Sequence, residues 1–190
     1  MNFSIENYID QHCQVIGSLN VEEIKQAIFL IEQTVKNGKR VAVCGNGGSA
    51  VAASHYITDW NKMIYTHKRT RFNGICLSDN VGLITAYSND LSYSDVFSEQ
   101  VKNLLCEDDL LITLSGSGNS KNVIRATTVA KKMKIKTLSI CGYDGGKLKK
   151  ISDNYVWIRS FDMQICEDAQ TVFGHMVMKY LCDSSIFIEE

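Results

Sequence analysis

The strongest constraint on this chain is a strand-like run that empties into glycines. Val41-Ala-Val-Cys44 is followed at once by Gly45-Asn-Gly-Gly-Ser49 and then by an alanine-rich helical segment. Glycines let a ligand approach the backbone closely, and the unpaired N–H groups at a helix start favour an anion. A second junction of the same kind, Leu114-Ser-Gly-Ser-Gly-Asn-Ser120, follows another apolar run. Strands that each lead into a helix predict an α/β fold: a parallel sheet covered on both faces, with right-handed crossovers. In such a sheet ligands sit beyond the carboxyl ends of the strands, so both loops should share one edge.

The rest of the chain fits that frame. A first helix is expected over residues 2–17, with Ile5, Tyr8, Ile9 and Cys13 along one stripe. Asn20 caps a second, supported by Glu23 three positions on, and Asn37-Gly38 stops it. These two helices serve oligomer contact or cover one face of the sheet. Strands are expected over residues 40–44, 72–77, 109–114, 136–141 and 154–158. Helices are expected over residues 49–62, 80–87, 95–105, 119–133 and 164–183, with Asn89-Asp90 as punctuation and Tyr143–Gly146 as a turn. No linker or internal repeat interrupts the 190 residues, which predicts one domain: N-terminal helices over 1–37 and an α/β core over 38–190.

Composition narrows the function. A net charge of −1 leaves no basic footprint for a phosphodiester backbone, so direct nucleic-acid binding is not expected. No apolar run reaches membrane-spanning length, and the N-terminal residues do not resemble an export signal. Seven cysteines without C-x-x-C spacing predict reduced, mostly buried thiols and a cytoplasmic setting.

The first glycine loop has Ala50 where a dinucleotide fingerprint needs its third glycine, and it lacks the lysine of a P-loop. A nucleotide is therefore disfavoured. Ser115, Ser117 and Ser120 offer neutral hydroxyl donors suited to a small phosphate monoester. His55 and Asp59 are four apart on the helix leaving the first loop. Glu167 and His175 are eight apart on the last helix, a little over two turns. Two imidazoles and two carboxylates could close around one divalent metal, for which zinc fits best. Spacing alone does not bring the two helices together, and a lone His/Asp pair on a helix is more often a surface or capped pair.

Taken together, the chain resembles the sugar isomerase (SIS) domain family, and within it the bacterial phosphoheptose isomerases. The resemblance rests on the two N-terminal helices, Cys44-Gly-Asn-Gly-Gly-Ser49, His55, Ser88-Asn-Asp90, Ser115-Gly-Ser-Gly-Asn-Ser120, Gly142-Tyr-Asp-Gly-Gly146 and the last helix with His175. It implies a three-layer, five-stranded, flavodoxin-like sheet and a homotetramer with sites at subunit interfaces. It implies phosphate binding by the serine loop (Ser115, Gly116, Ser117, Ser120) and sugar contacts from Asn46, Gly47, Gly48, Ser49, Asn89 and Asp90. It implies a zinc site at His55, Asp59, Glu167 and His175, with the first carboxylate and the last histidine as the acid/base pair.

Several positions depart from the family pattern. Asp59 stands for glutamate, Glu167 for glutamine, Gly116 for the threonine of Ser-Thr-Ser, and Ile165 for an arginine. A base drawn back by about 1 to 1.5 Å at Asp59 would lower the rate by ~100-fold, unless Glu167 compensates as ligand or as base. The implied activity is isomerisation of sedoheptulose 7-phosphate to a heptose 7-phosphate through an enediol, feeding surface-polysaccharide synthesis. The resemblance also extends to non-catalytic SIS modules: a replication-initiation regulator that binds DnaA, and phosphosugar sensors. Retention of His55, His175 and an acid at position 59 favours the enzyme.

Overall fold

The computed structural model describes residues 4–68 and 71–184. Its strands are β1 (Val41–Cys44), β2 (Gly74–Cys76), β3 (Leu110–Ser115), β4 (Lys136–Cys141) and β5 (Asn154–Trp157). The helices are α1 (Ile5–Gly17), α2 (Val21–Lys36), α3 (Gly48–Lys68), α4 (Val81–Asp90), α5 (Ser98–Leu104), α6 (Lys121–Lys132), α7 (Gly146–Ile151) and α8 (Met163–Asp183). The sheet order is β2-β1-β3-β4-β5, and every neighbouring pair is parallel. The chain steps outward from β1 to β2, then returns past β1 to lay down β3. The crevice beyond the carboxyl ends of β1 and β3 is the switch point where such sheets bind ligands. Both glycine-rich loops open there.

Apolar side chains on β1 and β3 alternate between two cores, as a period of two requires. Val41, Val43, Leu110, Ile112 and Leu114 face a core shared with α2, α3 and α8. Ala42, Cys44 and Leu111 face a second core with α5, α6 and Leu148 of α7. Burial on both faces explains why these strands read as unbroken apolar runs.

At the start of α2, Asn20 Oδ1 accepts the N–H groups of Glu22 and Glu23 at 2.9 and 3.4 Å. Glu23 does not complete a reciprocal cap. Its Oε2 instead accepts the main-chain N–H of Trp157 at 2.9 Å, satisfying a donor on the outer edge of β5. Helix α2 covers the sheet through Ile24, Ala27 and Ile31, whereas α1 buries none of its residues. Residues 2 and 3, expected in the first helix, lie outside the described residues.

Boundaries moved where local signals were thin. Helix α3 continues past Lys62 to Lys68 because Ile64 is still drawn into the core. Strand β2 shrinks to three half-buried residues at the sheet edge, and Asn61 holds Gly74 through both its N–H and its carbonyl. Helix α4 runs through Asn89 and Asp90, so that pair closes a helix rather than forming a loop. Helix α5 begins at Ser98 rather than at residue 95. Helix α7 follows the expected turn, and its only buried residue is Leu148.

The packing that matters most joins α3 to α8. Tyr56, Trp60 and Phe173 are almost wholly buried between them, each worth roughly 1.5–3 kcal/mol of apolar burial. The Tyr56 hydroxyl donates to the main-chain oxygen of Gln170, and Trp60 Nε1 donates to that of Gly174 at 3.0 Å. Gly174 permits this approach, because a Cβ there would collide with the Tyr56 ring. The result sets the outer faces of the two helices side by side.

Candidate active site

That apposition joins residues distant in sequence. His55 and Asp59 on α3 meet His175 on α8, with the two Nε2 atoms 2.9 Å apart. Asp59 Oδ2 lies 3.4 Å from His55 Nε2 and 3.6 Å from His175 Nε2. The two histidine side chains are nearly half exposed and Asp59 less so, so the trio is open to a ligand. Three ligand atoms this close can hold a metal ion. A tetrahedral ion with 2.0–2.1 Å bonds needs its ligand atoms about 3.3 Å apart. The observed separations bracket that value, so the donor set and its spacing fit zinc.

Glu167, the fourth expected ligand, stands outside this cluster. Eight helical residues separate it from His175 by a rise of ~12 Å along α8. Its carboxylate lies against Gly48 at the start of α3, where a Cβ would fall 2.2 Å from Oε2. There Glu167 forms a common wall of two cavities. One, of about 240 Å³, holds the serine loop. The other, of about 410 Å³, includes His55, Asp168 and Thr171.

The serine-loop cavity carries the expected donors. Ser115 ends β3, and its Oγ accepts the Gly118 N–H at 3.1 Å and meets Ser120 Oγ at 3.2 Å. Ser117 Oγ accepts the Asn119 N–H at 3.2 Å. Ser120 is the N-cap of α6 but makes no side-chain cap bond, so its hydroxyl is not spent on the helix. A hydroxyl that accepts a backbone N–H retains its own proton for a ligand. No lysine or arginine lines this cavity, and its single formal charge is Glu167.

Asn46, Gly47 and Ser49 also line the cavity. Asn46 and Asn122 exchange two amide hydrogen bonds at 2.8 and 2.9 Å, and Tyr93 donates to Asn46 Oδ1 at 2.8 Å. The Asn46 amide is thereby clamped, and the loop with it. Ser49 Oγ lies 2.9 Å from Gln170 Oε1. Asn89 and Asp90 are not brought to this cavity within the chain. They are exposed in the last turn of α4, and Asn89 donates to Asp90 at 2.8 Å.

Sequence reasoning missed Asn122, Tyr93, Gln170 and Met163. Only Gln170 left a signal, a polar residue on the buried stripe of α8 that includes Cys166 and Phe173. Met163 explains Gly116, since its Sδ occupies the place where a side chain at 116 would begin. Ile165, where the family places arginine, is buried in the protein.

His12 on α1 reaches the same region. Its Nδ1 contacts the Tyr8 carbonyl at 2.9 Å and its Nε2 contacts Asp168 Oδ2 at 2.7 Å. Both partners are acceptors, an arrangement that favours the doubly protonated ring. The hydrogen bond to Asp168 raises its pKa above the usual histidine value. The cysteines are all unpaired. Burial pushes the Cys44 thiol up, and those of Cys76 and Cys141 up to about 12, which leaves them inert. Among the described residues no helix is long and apolar enough to cross a membrane.

Comparison with known proteins identifies relatives of this chain and of its fold. Residues 6–142 match the SIS domain. A phosphoheptose isomerase of Helicobacter pylori is 38% identical over 162 residues, covering 85% of this chain and 82% of the relative. One from Aliarcobacter butzleri is 36% identical over 160 residues, 84% of each. The solved structure of a phosphoheptose isomerase from Francisella tularensis superposes with a TM-score of 0.89 at 26% identity, over 95% of this chain and 97% of that one. With five parallel strands, both glycine loops at the switch point and relatives of this similarity, the chain belongs to the SIS domain family, among the phosphoheptose isomerases and their relatives.

Proposed function

We propose that this protein is a ketose–aldose isomerase that converts sedoheptulose 7-phosphate into D-glycero-D-manno-heptose 7-phosphate. The observation that carries the reading is the coincidence, at one edge of the sheet, of a serine-lined cavity and the His55–Asp59–His175 cluster. The substrate follows the named activity of the relatives. A chain of seven carbons phosphorylated on C7 places its reacting C1 and C2 at the end remote from the phosphate. Ser115, Ser117 and Ser120 hold the phosphate, and Asn46, Gly47, Gly48 and Ser49 border the substrate. Asn89 and Asp90 would join them only from a neighbouring copy.

Asp59, partly open to solvent, takes a proton from C1, exchanges it with water and delivers a proton to C2, while His175 moves the hydroxyl proton from O1 to O2. Such positioned groups supply typically 10²–10⁴-fold each. His55, Asp59 and His175 would hold zinc, which when bound polarises the carbonyl and favours enediolate charge. Glu167, on the wall shared by the two cavities, is the alternative base. The seven unpaired thiols suit a cytoplasmic enzyme, and its product suits lipopolysaccharide or capsule assembly. The expected homotetramer would give a partner to α1, whose Ile5 and Ile9 are 64% and 56% exposed.

Incubating the purified protein with sedoheptulose 7-phosphate tests this directly. Appearance of the aldose by NMR is expected. A protein that binds the sugar without turnover is a binding module instead, and the reading fails.

A further inference from the structure

Among the described residues, one buried side-chain nitrogen lacks a hydrogen-bond partner: Nε2 of Gln170. Gln170 is fully buried on α8, and its Oε1 lies 2.9 Å from Ser49 Oγ. Ser49 is itself 3% exposed and lines the serine-loop cavity. An orphaned buried N–H is rare and costly, whereas a carbonyl with spare lone pairs is tolerated better. The two ends of a carboxamide have the same shape, so a half-turn of the Gln170 amide places Nε2 on Ser49 Oγ at the same separation. The carbonyl then takes the position without a partner.

That half-turn changes what Ser49 can do. With Oε1 facing it, Ser49 spends its single proton on Gln170. With Nε2 facing it, Ser49 accepts from Gln170 and its proton is left for the cavity. We propose that Gln170 is a positioning residue: its amide donates to Ser49 Oγ and turns the Ser49 hydroxyl into the serine-loop cavity as a further donor to a phosphate oxygen. Ser49 sits in the first turn of the 21-residue helix α3, where the helix dipole also favours an anion. The cavity has no basic side chain, so each neutral donor counts. This rests on reading the cavity as the phosphate end of the site.

The test uses inorganic phosphate and sedoheptulose 7-phosphate as probes. Ser49→Ala, Gln170→Met, Gln170→Leu and the double variant Ser49→Ala/Gln170→Met are compared with the full chain. Calorimetric titration with phosphate is expected to show affinity falling about three- to tenfold in each single variant, the worth of one hydrogen bond. The double variant should be no weaker than Ser49→Ala alone, because without the Ser49 hydroxyl Gln170 has no donor left to orient. KM should rise by the same factor, with kcat within about twofold.

Unchanged phosphate affinity in both Gln170 variants, or additive losses in the double, overturns the proposal. Using two apolar replacements keeps it testable if one fails to fold. If phosphate affinity responds as expected but the wild type does not isomerise the sugar, the positioning role stands and the isomerase reading fails. Turnover with phosphate affinity indifferent to Gln170 overturns the positioning role and leaves the isomerase reading standing.

Discussion

His55 Nε2 and His175 Nε2 face one another at 2.9 Å although 120 residues separate them in the chain. At that distance the two rings can share one proton but cannot both point an N–H at the other. Asp59, within 3.6 Å of both, completes a site for a proton or a metal ion. Every step of the proposed reaction depends on this trio.

Asp59→Asn preserves shape and removes the base. It is expected to lower kcat by ~10²–10⁴-fold with KM nearly unchanged, measured with sedoheptulose 7-phosphate. His175→Gln should act similarly. Because both side chains are partly exposed, thermal melting should move little. A loss confined to Glu167→Gln would transfer the base role to Glu167.

Zinc should raise the melting temperature of the wild type by linkage, worth about 2.7 kcal/mol at a hundredfold excess over Kd. The shift should vanish in His55→Ala and in His175→Ala, and persist in Glu167→Ala, since Glu167 lies outside the cluster. Equal loss in Glu167→Ala would show that this carboxylate reaches the ion.

Two glycine substitutions should part company. In Gly174→Ala the new methyl meets the buried Tyr56 ring, and overpacking there is expected to cost about 1–3 kcal/mol in denaturant unfolding. In Gly48→Ala the atoms it meets first belong to the movable end of Glu167. That variant should unfold almost like wild type but lose substrate affinity, because the Glu167 carboxylate must leave the wall between the cavities.

The His12–Asp168 pair predicts a pH signature. Its folded-state pKa is raised, so the pair stabilises below the unfolded histidine value of ~6.5. That contribution is lost as pH climbs through the folded value. Proton NMR should show His12 titrating above the usual range, and Asp168→Asn should bring it down. A midpoint indifferent to Asp168→Asn would mean the pair does not form in solution.

The sheet was legible because Val41–Cys44 and Leu110–Ser115 are buried on both faces, which leaves continuous apolar runs next to glycine loops. Helix α7 was not, since six residues anchored by one leucine carry no period. His55 and Asp59 were visible as a pair at helical spacing. Their meeting with His175 depends on Gly174 admitting Tyr56, a tertiary fit that no local pattern encodes. Glu167 shares a helix with His175, but its carboxylate lines the wall between the two cavities rather than joining the three-residue cluster. Asn122 and Gln170 act by clamping Asn46 and Ser49 from elements distant in sequence, so spacing could not reveal them.

The most direct measurement is isomerisation of sedoheptulose 7-phosphate in D2O, followed by proton NMR. The account predicts that the wild type forms the heptose 7-phosphate with solvent deuterium at C2, and that Asp59→Asn forms none at a comparable rate. No aldose from the wild type, or undiminished turnover by Asp59→Asn, would contradict it.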